Sequence, residues 1–452
     1  LGGQFSLSRT YNSVGASIHS MFGRGWSFEY DEALSQLADG SIAYRRGDGS
    51  ILPFTPDGNG GFTGPAGYGL SLSRIKTGEV TEDFGTEEDP DVQTFDVYEY
   101  EITSRDGTVR RFNSWGLLAS ITDINGFTTA LSYDAAYNLT GITTPSGKTF
   151  AIALDENGMI RSVTLPDGGL VRYAYDAAGN LVSYFDALGN ETKYIYDAAH
   201  RMTSWVDANG TAMVVNVYDE KGRVVEQTDG NGGVSKLAYE DGKTIATDAA
   251  GNITVYHYDE QHRTTRIEYP DGTAESFEYD AGNQRSAFVD KLGNRTAYEY
   301  DAAGNFTKQT RFDGASQTYT YNAQNKPASF TDYAGKTTRY EYNEAGDMTA
   351  VIYNDGTQNT FTYDANHNPI TMTDAMGGTA TFEYDGALLV KMTDAAGSVY
   401  TFGYDAMGRQ TSVTDPLGNT SKTVFDAAGR TVGEQAADGA YTEYIYDAAG
   451  RV

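Results

Sequence analysis

The stretch Tyr175-Asp176-Ala177-Ala178-Gly179-Asn180 indicates the fold, because the chain repeats it in register. The phrase Tyr-Asp-Ala-Ala-Gly-Asn/Arg returns at 300–305 and 446–451, with looser forms between. We call the first residue of each phrase an anchor. The anchors are Phe112, Tyr133, Leu154, Tyr175, Tyr196, Tyr218, Tyr239, Tyr258, Tyr279, Tyr300, Tyr321, Tyr342, Tyr363, Tyr384, Tyr404, Phe425 and Tyr446. Their step is 21 residues, with exceptions of 19, 20 or 22, which predicts one array of stacked repeats.

Each repeat carries two turn signals of the form Asp-x-x-Gly, about ten residues apart. The Asp accepts hydrogen bonds from amides of its own turn, and the Gly tolerates positive φ, as a hairpin turn requires. Two turns per repeat predict two strands of about six residues each. The turn residues that we single out are Asp176, Gly179, Asp186, Gly189, Asp301, Gly304, Asp447 and Gly450.

Between the turns the side chains alternate, as in 193–196 and 339–342, where two Tyr residues share one face. Rows of Tyr from successive hairpins should stabilise the sheet by about 0.2 to 1 kcal/mol per cross-strand contact. We expect structural roles for the anchors Tyr133, Tyr175, Tyr196, Tyr218, Tyr258, Tyr279, Tyr300, Tyr363, Tyr384, Tyr404 and Tyr446. Because long sheets twist and curl, the sequence predicts an all-β fold of tandem hairpins that spirals into a barrel-like, here partial, shell.

Two regions follow from the register. Residues 1–111 lack it and form a predicted N-terminal β-rich module, and residues 112–452 form the repeat array with 17 anchors. Within the module, 92–103 reads as a strand. The glycine-rich stretch 58–69 and the acidic stretch 82–91 read as loops outside the wall.

Composition narrows the possible partners. The formal net charge of −29 disfavours binding to nucleic acid or to anionic membrane surfaces. Cysteine is absent, so the fold depends on no disulfide. No apolar run is long enough to span a bilayer, and no cleavable signal is recognisable. The chain begins at Leu1 and stops just after an anchor turn, so we expect it to be part of a longer protein.

No motif predicts catalysis, a cofactor or a metal. Three Gly-Lys-Thr triplets, at Gly147, Gly242 and Gly335, lack the earlier glycine of a phosphate loop. His257 and His262 flank an anchor turn. Two exposed imidazoles in a hairpin are a simpler interpretation of this pair than a zinc site. The turn 229–233 could hold calcium but lacks the spacing of known calcium loops.

The Tyr-Asp-x-x-Gly-Asn/Arg period resembles the YD repeat of Rhs proteins, Tc toxin C-type components and the teneurins. Residues 5–7, 9–13 and 22–27 are similar to the module that precedes the shell in bacterial Rhs proteins. The resemblance implies a hollow cocoon that holds a C-terminal toxic effector until delivery. Rhs proteins typically end the shell with aspartates that cut the toxin free, whereas here Asp415-Pro416-Leu417-Gly418 lies inside an ordinary repeat.

The leading interpretation is a non-enzymatic shell segment of a secreted or surface-exposed bacterial toxin used in interbacterial competition or host attack. Its expected partners are the encapsulated effector, outside this chain, and a component of a secretion apparatus. The alternative is an adhesion module that binds glycans through outward Tyr rows. A weaker third possibility is an enzyme in parts of the protein beyond this chain.

Overall fold

The computed structural model describes residues 7–83 and 92–452, and all regular structure in these ranges is β-strand. Eight short strands come first: β1 Arg9–Tyr11, β2 His19–Ser20, β3 Gly23–Arg24, β4 Trp26–Phe28, β5 Ala33–Gln36, β6 Ile42–Arg45, β7 Ile51–Pro56 and β8 Phe62–Thr63. β1 pairs with β4, β2 pairs with β3, and β5 to β8 form a four-stranded sheet.

The following strands form one continuous antiparallel sheet of 35 strands. They are β9 Leu70–Asp83, β10 Val92–Ser104, β11 Val109–Phe112, β12 Leu118–Thr122, β13 Thr128–Tyr133, β14 Leu139–Thr143, β15 Thr149–Leu154, β16 Ile160–Thr164, β17 Leu170–Tyr175, β18 Leu181–Phe185, β19 Glu191–Tyr196, β20 Met202–Val206, β21 Ala212–Tyr218, β22 Val224–Asp229, β23 Val234–Glu240, β24 Lys243–Thr247, β25 Ile253–Tyr258 and β26 Thr264–Glu268. The remainder are β27 Ala274–Tyr279, β28 Arg285–Val289, β29 Arg295–Tyr300, β30 Phe306–Thr310, β31 Ser316–Tyr321, β32 Pro327–Thr331, β33 Thr337–Tyr342, β34 Met348–Ile352, β35 Gln358–Tyr363, β36 Pro369–Thr373, β37 Thr379–Asp385, β38 Leu388–Thr393, β39 Val399–Tyr404, β40 Gln410–Thr414, β41 Thr420–Phe425, β42 Thr431–Gln435 and β43 Tyr441–Glu443.

Each strand of the large sheet pairs with the strands before and after it in sequence. Within the described ranges β9 pairs with β10 alone and β43 with β42 alone, so the sheet stays open. The all-β fold and the partial shell predicted from the sequence are confirmed.

Nearly every hairpin that contains an anchor has a β-bulge beside the anchor. In the β17–β18 hairpin the register shifts between Ala174 and Tyr175, and β41–β42 shifts in the same way before Phe425. A bulge increases the local right-handed twist of a strand pair. Because the bulge recurs once per repeat on the same side, its twist accumulates and the sheet coils.

The coiling brings distant repeats into contact. Lys326 Nζ lies 3.1 Å from the carbonyl oxygen of Ile124, and Asn209 Nδ2 lies 2.8 Å from Asp447 Oδ2; these partners are 202 and 238 residues apart. The sheet therefore returns over itself after roughly ten to eleven repeats. We call residues 104–223 the first coil and residues 300–451 the second coil.

Antiparallel strands place successive turns at opposite ends of the sheet, which gives each coil two rims. The anchor rim carries the turns that follow the anchors, such as 176–180. The alternate rim carries the turns in between, such as 186–190. The alternate turn 207–211 of the first coil meets the anchor turn 447–451 of the second coil, so the coils stack rim to rim.

The fully buried apolar core lies at the N-terminal end of the molecule. It joins Phe22, Phe28 and Phe54 of the N-terminal region to residues of the first coil as far as Leu181. The second coil buries few large side chains completely. Its stability therefore depends on strand pairing, turn hydrogen bonds and contact between neighbouring repeats.

Two sequence predictions need correction here. The stretch 58–69 is not purely a loop, because β8 lies within it and pairs with β7. In the acidic stretch 82–91, Glu82 and Asp83 belong to β9, while residues 84–91 lie outside the described residues.

The repeat register and the large sheet begin at different positions. The large sheet begins at Leu70, ahead of the first anchor at Phe112, because β9 pairs with β10, β10 with β11 and β11 with β12. The division into 1–111 and 112–452 therefore marks the repeat register, and as a domain boundary it remains a prediction.

Candidate functional site

The anchor turn is the smallest unit of the candidate site. Asp176 Oδ1 accepts hydrogen bonds from the amides of Ala178 and Asn180, both at 2.9 Å, and Oδ2 accepts from Asn180 Nδ2 at 2.8 Å. Gly179 donates its amide to the Asp176 carbonyl and has φ of 83°, which is unstrained only for glycine. The carboxylate thus fastens both ends of its own turn.

The other predicted turns have the same construction. Asp186, Asp301 and Asp447 each accept the amide four residues onward, and Gly189, Gly304 and Gly450 have positive φ. At the last turn the side-chain hydrogen bond from Arg451, aided by the Arg451 amide, lowers the pKa of Asp447 to about 2. These aspartates therefore stabilise their own turns, and their carboxylate oxygens already accept hydrogen bonds.

The anchor tyrosines bridge neighbouring hairpins. Tyr175 Oη donates to the carbonyl oxygen of Ile160, the first residue of β16, at 2.8 Å. The β16–β17 ladder reaches only from Ser162 to Thr164 on β16, so the hydroxyl satisfies a carbonyl that the ladder leaves unpaired. Equivalent bonds, 15 or 16 residues upstream, are made by Tyr133, Tyr196, Tyr218, Tyr239, Tyr279, Tyr300, Tyr321, Tyr342, Tyr363, Tyr404 and Tyr446.

The remaining two Tyr anchors, Tyr258 and Tyr384, occupy the same position at the ends of β25 and β37. Burial raises the pKa of Tyr384, as it raises the pKa of Tyr175. The Tyr175 hydroxyl, which donates to the Ile160 carbonyl, is therefore protonated at neutral pH.

Where a turn ends in Arg, the side chain links two successive repeats. Arg263 donates Nε to Asp259 Oδ2 at 2.7 Å, and its guanidinium lies 4.5 Å from the ring centre of the next anchor, Tyr279. Arg430 repeats this arrangement with Asp426 and the ring of Tyr446. The sequence showed the Asn/Arg alternation but gave no reason for it; the reason is this ion pair combined with a cation–π contact.

The N-terminal segment 11–25 runs along the anchor rim of the first coil. The Arg24 amide donates to the Gly179 carbonyl at 2.9 Å, and Tyr11 Oη donates to the His200 carbonyl at 2.7 Å. Ser13 Oγ donates to the Gly222 carbonyl at 3.1 Å. Gly179, His200 and Gly222 occupy the same position in three consecutive anchor turns, so the segment matches the period of the array and covers the rim.

Arg9, which lies just before this segment, packs against the aromatic face of the sheet. Its guanidinium lies 4.5 Å from the ring centre of Tyr184 and 5.4 Å from that of Tyr173, and it donates to Tyr194 Oη at 2.8 Å. Trp26 Nε1 also donates to the anchor hydroxyl of Tyr196. Of the similar module segments, 5–6 lie outside the described residues, and Leu7 packs against the core.

Lys326 joins the two coils. Its Nζ donates to the carbonyl oxygens of Ile124 in the first coil and Gly346 in the second, and burial lowers the pKa of this lysine. Beside it, His367 Nδ1 lies 2.8 Å from Asp347 Oδ1. The sequence contained no signal for this junction, because its partners are about ten repeats apart.

The histidines have a structural explanation. His200, His262 and His367 occupy the fourth turn position, normally glycine, with φ of 64°, 60° and 64°. His257 lies in β25, 3.5 Å from Glu268, so the structure does not join His257 and His262 in one site. Within residues 7–83 and 92–452, no group of three or more His, Cys, Asp or Glu could hold a metal ion.

The other chemical motifs also fall in hairpin turns. Gly147, Gly242 and Gly335 each have positive φ between paired strands. Asp229 Oδ1 accepts the amides of Asn231 and Gly233 within its own turn, so this oxygen already has two donors. Asp415 holds its turn through the amides of Leu417 and Asn419 in the same way.

Comparison with known proteins defines the class first. A family model described as Teneurin YD-shell matches residues 103–243, and the RHS Repeat model matches 240–274, 321–358 and 388–420. A third, Domain of unknown function (DUF6531), matches residues 2–54. No curated protein matches the chain. The fold and its anchor turns define a YD-repeat shell protein.

Solved structures agree on the fold. The crystal structure of TcdB2-TccC3-TEV has a TM-score of 0.52 and 13% identity, covering 90% of this chain and 29% of its own. The crystal structure of TcdB2-TccC3 has a TM-score of 0.52 and 13% identity, covering 90% of this chain and 25% of its own. The chain belongs to the Rhs/YD-repeat proteins.

The chain thus spans less than a third of the length of these similar structures. In the described part of the chain, no helix has the length and apolar character needed to cross a membrane.

Proposed function

We propose that this chain is a wall segment of an Rhs-type shell that encapsulates a toxic effector, located C-terminal to it, and helps to deliver it. The role is structural and not enzymatic. The protein acts after export, as a secreted or surface-exposed factor in interbacterial competition or host attack, and its partners are the effector and a secretion component.

The observation that carries this proposal is the rim-to-rim stacking of the coils. Asn209 with Asp447 and Lys326 with Ile124 connect turns more than 200 residues apart. A sheet that returns onto its own rim makes a continuous wall, whereas a flat or fanned array would leave its rims free. Such a wall isolates a dormant cargo from the cell that produces it.

The N-terminal segment supports the same role. It contacts three consecutive anchor turns of the first coil, and Arg9, just before it, packs against the aromatic face. The chain itself thereby covers part of one rim of the wall.

Limited proteolysis of the full-length protein tests encapsulation. We expect the effector region to resist a protease that digests the same region rapidly when it is expressed alone. Cleavage at the same rate in both forms would contradict encapsulation.

One observation favours glycan binding as a second candidate function. Trp115 and Tyr137, in adjacent anchor turns, are 63% and 46% exposed, with ring centres 4.5 Å apart. Tyr137 also holds a positive φ of 64°, an uncommon conformation for a bulky residue. An exposed aromatic pair of this kind suits stacking against a sugar ring.

A glycan array with the 452-residue chain tests this second function. Adhesion predicts selective binding that Trp115→Ala abolishes, while Phe312→Ala, at another exposed aromatic position, leaves binding intact. Absence of selective binding, or equal loss in both variants, would exclude the Trp115–Tyr137 pair as a glycan site.

A further inference from the structure

A cavity of about 680 Å³ lies where three parts of the molecule meet. Tyr44 and Arg46 line it from the N-terminal region, Arg105 and Arg110 from the β10–β11 hairpin, and Tyr321 from the second coil. Its volume is in the range of small-ligand sites, which is roughly 300 to 1,000 Å³. Three arginines converge there in a protein whose net charge is −29.

Two of these arginines already hold a carboxylate. Arg110 Nε lies 3.1 Å from Glu32 Oε2, which also accepts a hydrogen bond from Tyr44 Oη at 2.7 Å. Arg46 lies 3.0 Å from Asp48 Oδ2. Both cations are therefore neutralised within the protein.

Arg105 differs from both. Among the residues that the structure describes, it forms no ion pair, and its buried Nε has no hydrogen-bond partner. A buried donor without a partner costs free energy. The guanidinium lies close to the backbone at Gly69 and Gly304, since a Cβ at Gly69 would lie only 2.7 Å from Nε.

We propose that this cavity is a binding site for a carboxylate on a peptide segment, with Arg105 as its principal ligand. The peptide carboxylate pairs with Arg105 as Glu32 pairs with Arg110 and Asp48 pairs with Arg46. This site goes beyond the shell function and does not depend on it.

The apolar part of the lining indicates which kind of peptide fits the cavity. Leu70, Phe306, Pro327 and the rings of Tyr68 and Tyr300 provide apolar surface around the arginines. An Asp or Glu side chain flanked by aliphatic or aromatic residues fits such a lining. A small, fully hydrated anion would leave most of it uncovered.

Three acidic groups lie near this place. Asp106 lines the cavity but is exposed, and its Oδ1 accepts the Thr108 amide at 3.0 Å. Asp301 and Asp280 lie on the far side of Arg105. The two oxygens of Asp301 accept from Asn305, and Asp280 Oδ1 accepts the Gln284 amide at 2.8 Å. All three carboxylates are engaged in their own turns and form no ion pair with Arg105.

Titration calorimetry with the 452-residue chain tests the site. The probes are acetyl-Leu-Glu-Tyr-amide and acetyl-Leu-Gln-Tyr-amide, which differ by one charge. We expect the Glu peptide to bind, with affinity falling as salt rises, and the Gln peptide to bind at least about tenfold more weakly, because charge-assisted hydrogen bonds are the stronger class.

Substitutions assign the binding to this cavity. Arg105→Gln should reduce Glu-peptide affinity by about tenfold or more, whereas Arg111→Gln, exposed and paired with Glu101, should leave it unchanged. Tyr68 is a half-exposed lining residue outside the buried core, so Tyr68→Ser should also weaken binding and should leave the protein folded. Equal affinity for the two peptides, or no effect of Arg105→Gln and Tyr68→Ser, would overturn the proposal. Glucuronate or inorganic phosphate binding more tightly than the Glu peptide would overturn the peptide assignment.

Discussion

At the scale of the residue, two side chains account for the repeat. The anchor Tyr supplies a donor to a carbonyl at the point where the ladder between hairpins stops, as Tyr175 does for Ile160. The following Asp satisfies amides of its turn, as Asp176 does. Neither could move by one position without breaking its bond, which explains the nearly constant step of the array.

Two Tyr→Phe substitutions separate the roles of anchor hydroxyls. Tyr363→Phe removes one bond, to the Met348 carbonyl, and should cost about 1 kcal/mol. Tyr196→Phe also leaves the buried Trp26 indole N–H unpaired, so the expected cost is larger, up to about 3 kcal/mol. Hydrogen exchange of the neighbouring strands measures both costs, because a long array opens locally. Equal effects would show that the hydrogen bond from Trp26 contributes nothing.

The turn aspartates make the stability of the fold depend on pH. Side-chain hydrogen bonds from the Asn four residues onward, aided by backbone amides, lower the pKa of Asp248, Asp290 and Asp415. A lowered folded-state pKa stabilises the protein above the ordinary Asp value of about 3.9, and this contribution is lost as pH falls through the folded pKa.

As pH falls from 7, protonation of carboxylates first reduces the net charge of −29 and the repulsion that it causes, which raises the stability of the fold. We therefore expect Tm to pass through a maximum between about pH 4 and pH 6 and to fall steeply below about pH 4. Calorimetry from pH 7 to pH 2.5 measures this curve. A Tm that continues to rise below pH 3.5 would contradict the role of the aspartates.

At the scale of the element, the sequence predicted what is local. Strand β19 follows from alternation and the turn after Tyr175 from Asp-x-x-Gly, because both depend on residues a few positions apart. The fit of 11–25 onto the anchor rim could not be predicted, since a contact such as Tyr11 with His200 spans 189 residues. The short strand β8 was missed because glycines surround it.

The docking of the N-terminal segment can be tested at Gly23. A Cβ there would lie 2.5 Å from the carbonyl oxygen of Gly179, and φ is 87°. We expect Gly23→Ala to lift the segment from the rim and to expose residues 11–25 to protease. Gly158→Ala is the control, because it carries similar strain, with φ of 77°, but nothing lies within 4 Å of its Cβ. Equal protease sensitivity in both variants would show that backbone strain alone is responsible.

At the scale of the whole molecule, coiling follows from repetition, but its pitch does not. The recurring bulge predicts that the sheet curls. The number of repeats per coil is set by contacts such as Lys326 with Ile124 and Arg451 with Asp207, which no local pattern contains. The pocket at Arg105 is hidden from sequence for the same reason.

Lys326→Ala tests the stacking of the coils. It leaves the carbonyls of Ile124 and Gly346 without their donor, so deuterium uptake in turns 123–127 and 343–347 should rise about tenfold or more. Lys336→Ala, at an exposed turn of the alternate rim, is the matched control and should change neither turn. Unchanged uptake in the Lys326 variant would mean that the coils do not depend on this junction.

A cryo-EM map of the intact protein that carries this chain tests encapsulation most directly. Encapsulation predicts a closed wall of stacked coils, with density for the effector inside it and the anchor tyrosines lining the sheet beside that density. An empty, open spiral with its aromatic face exposed to solvent would contradict encapsulation.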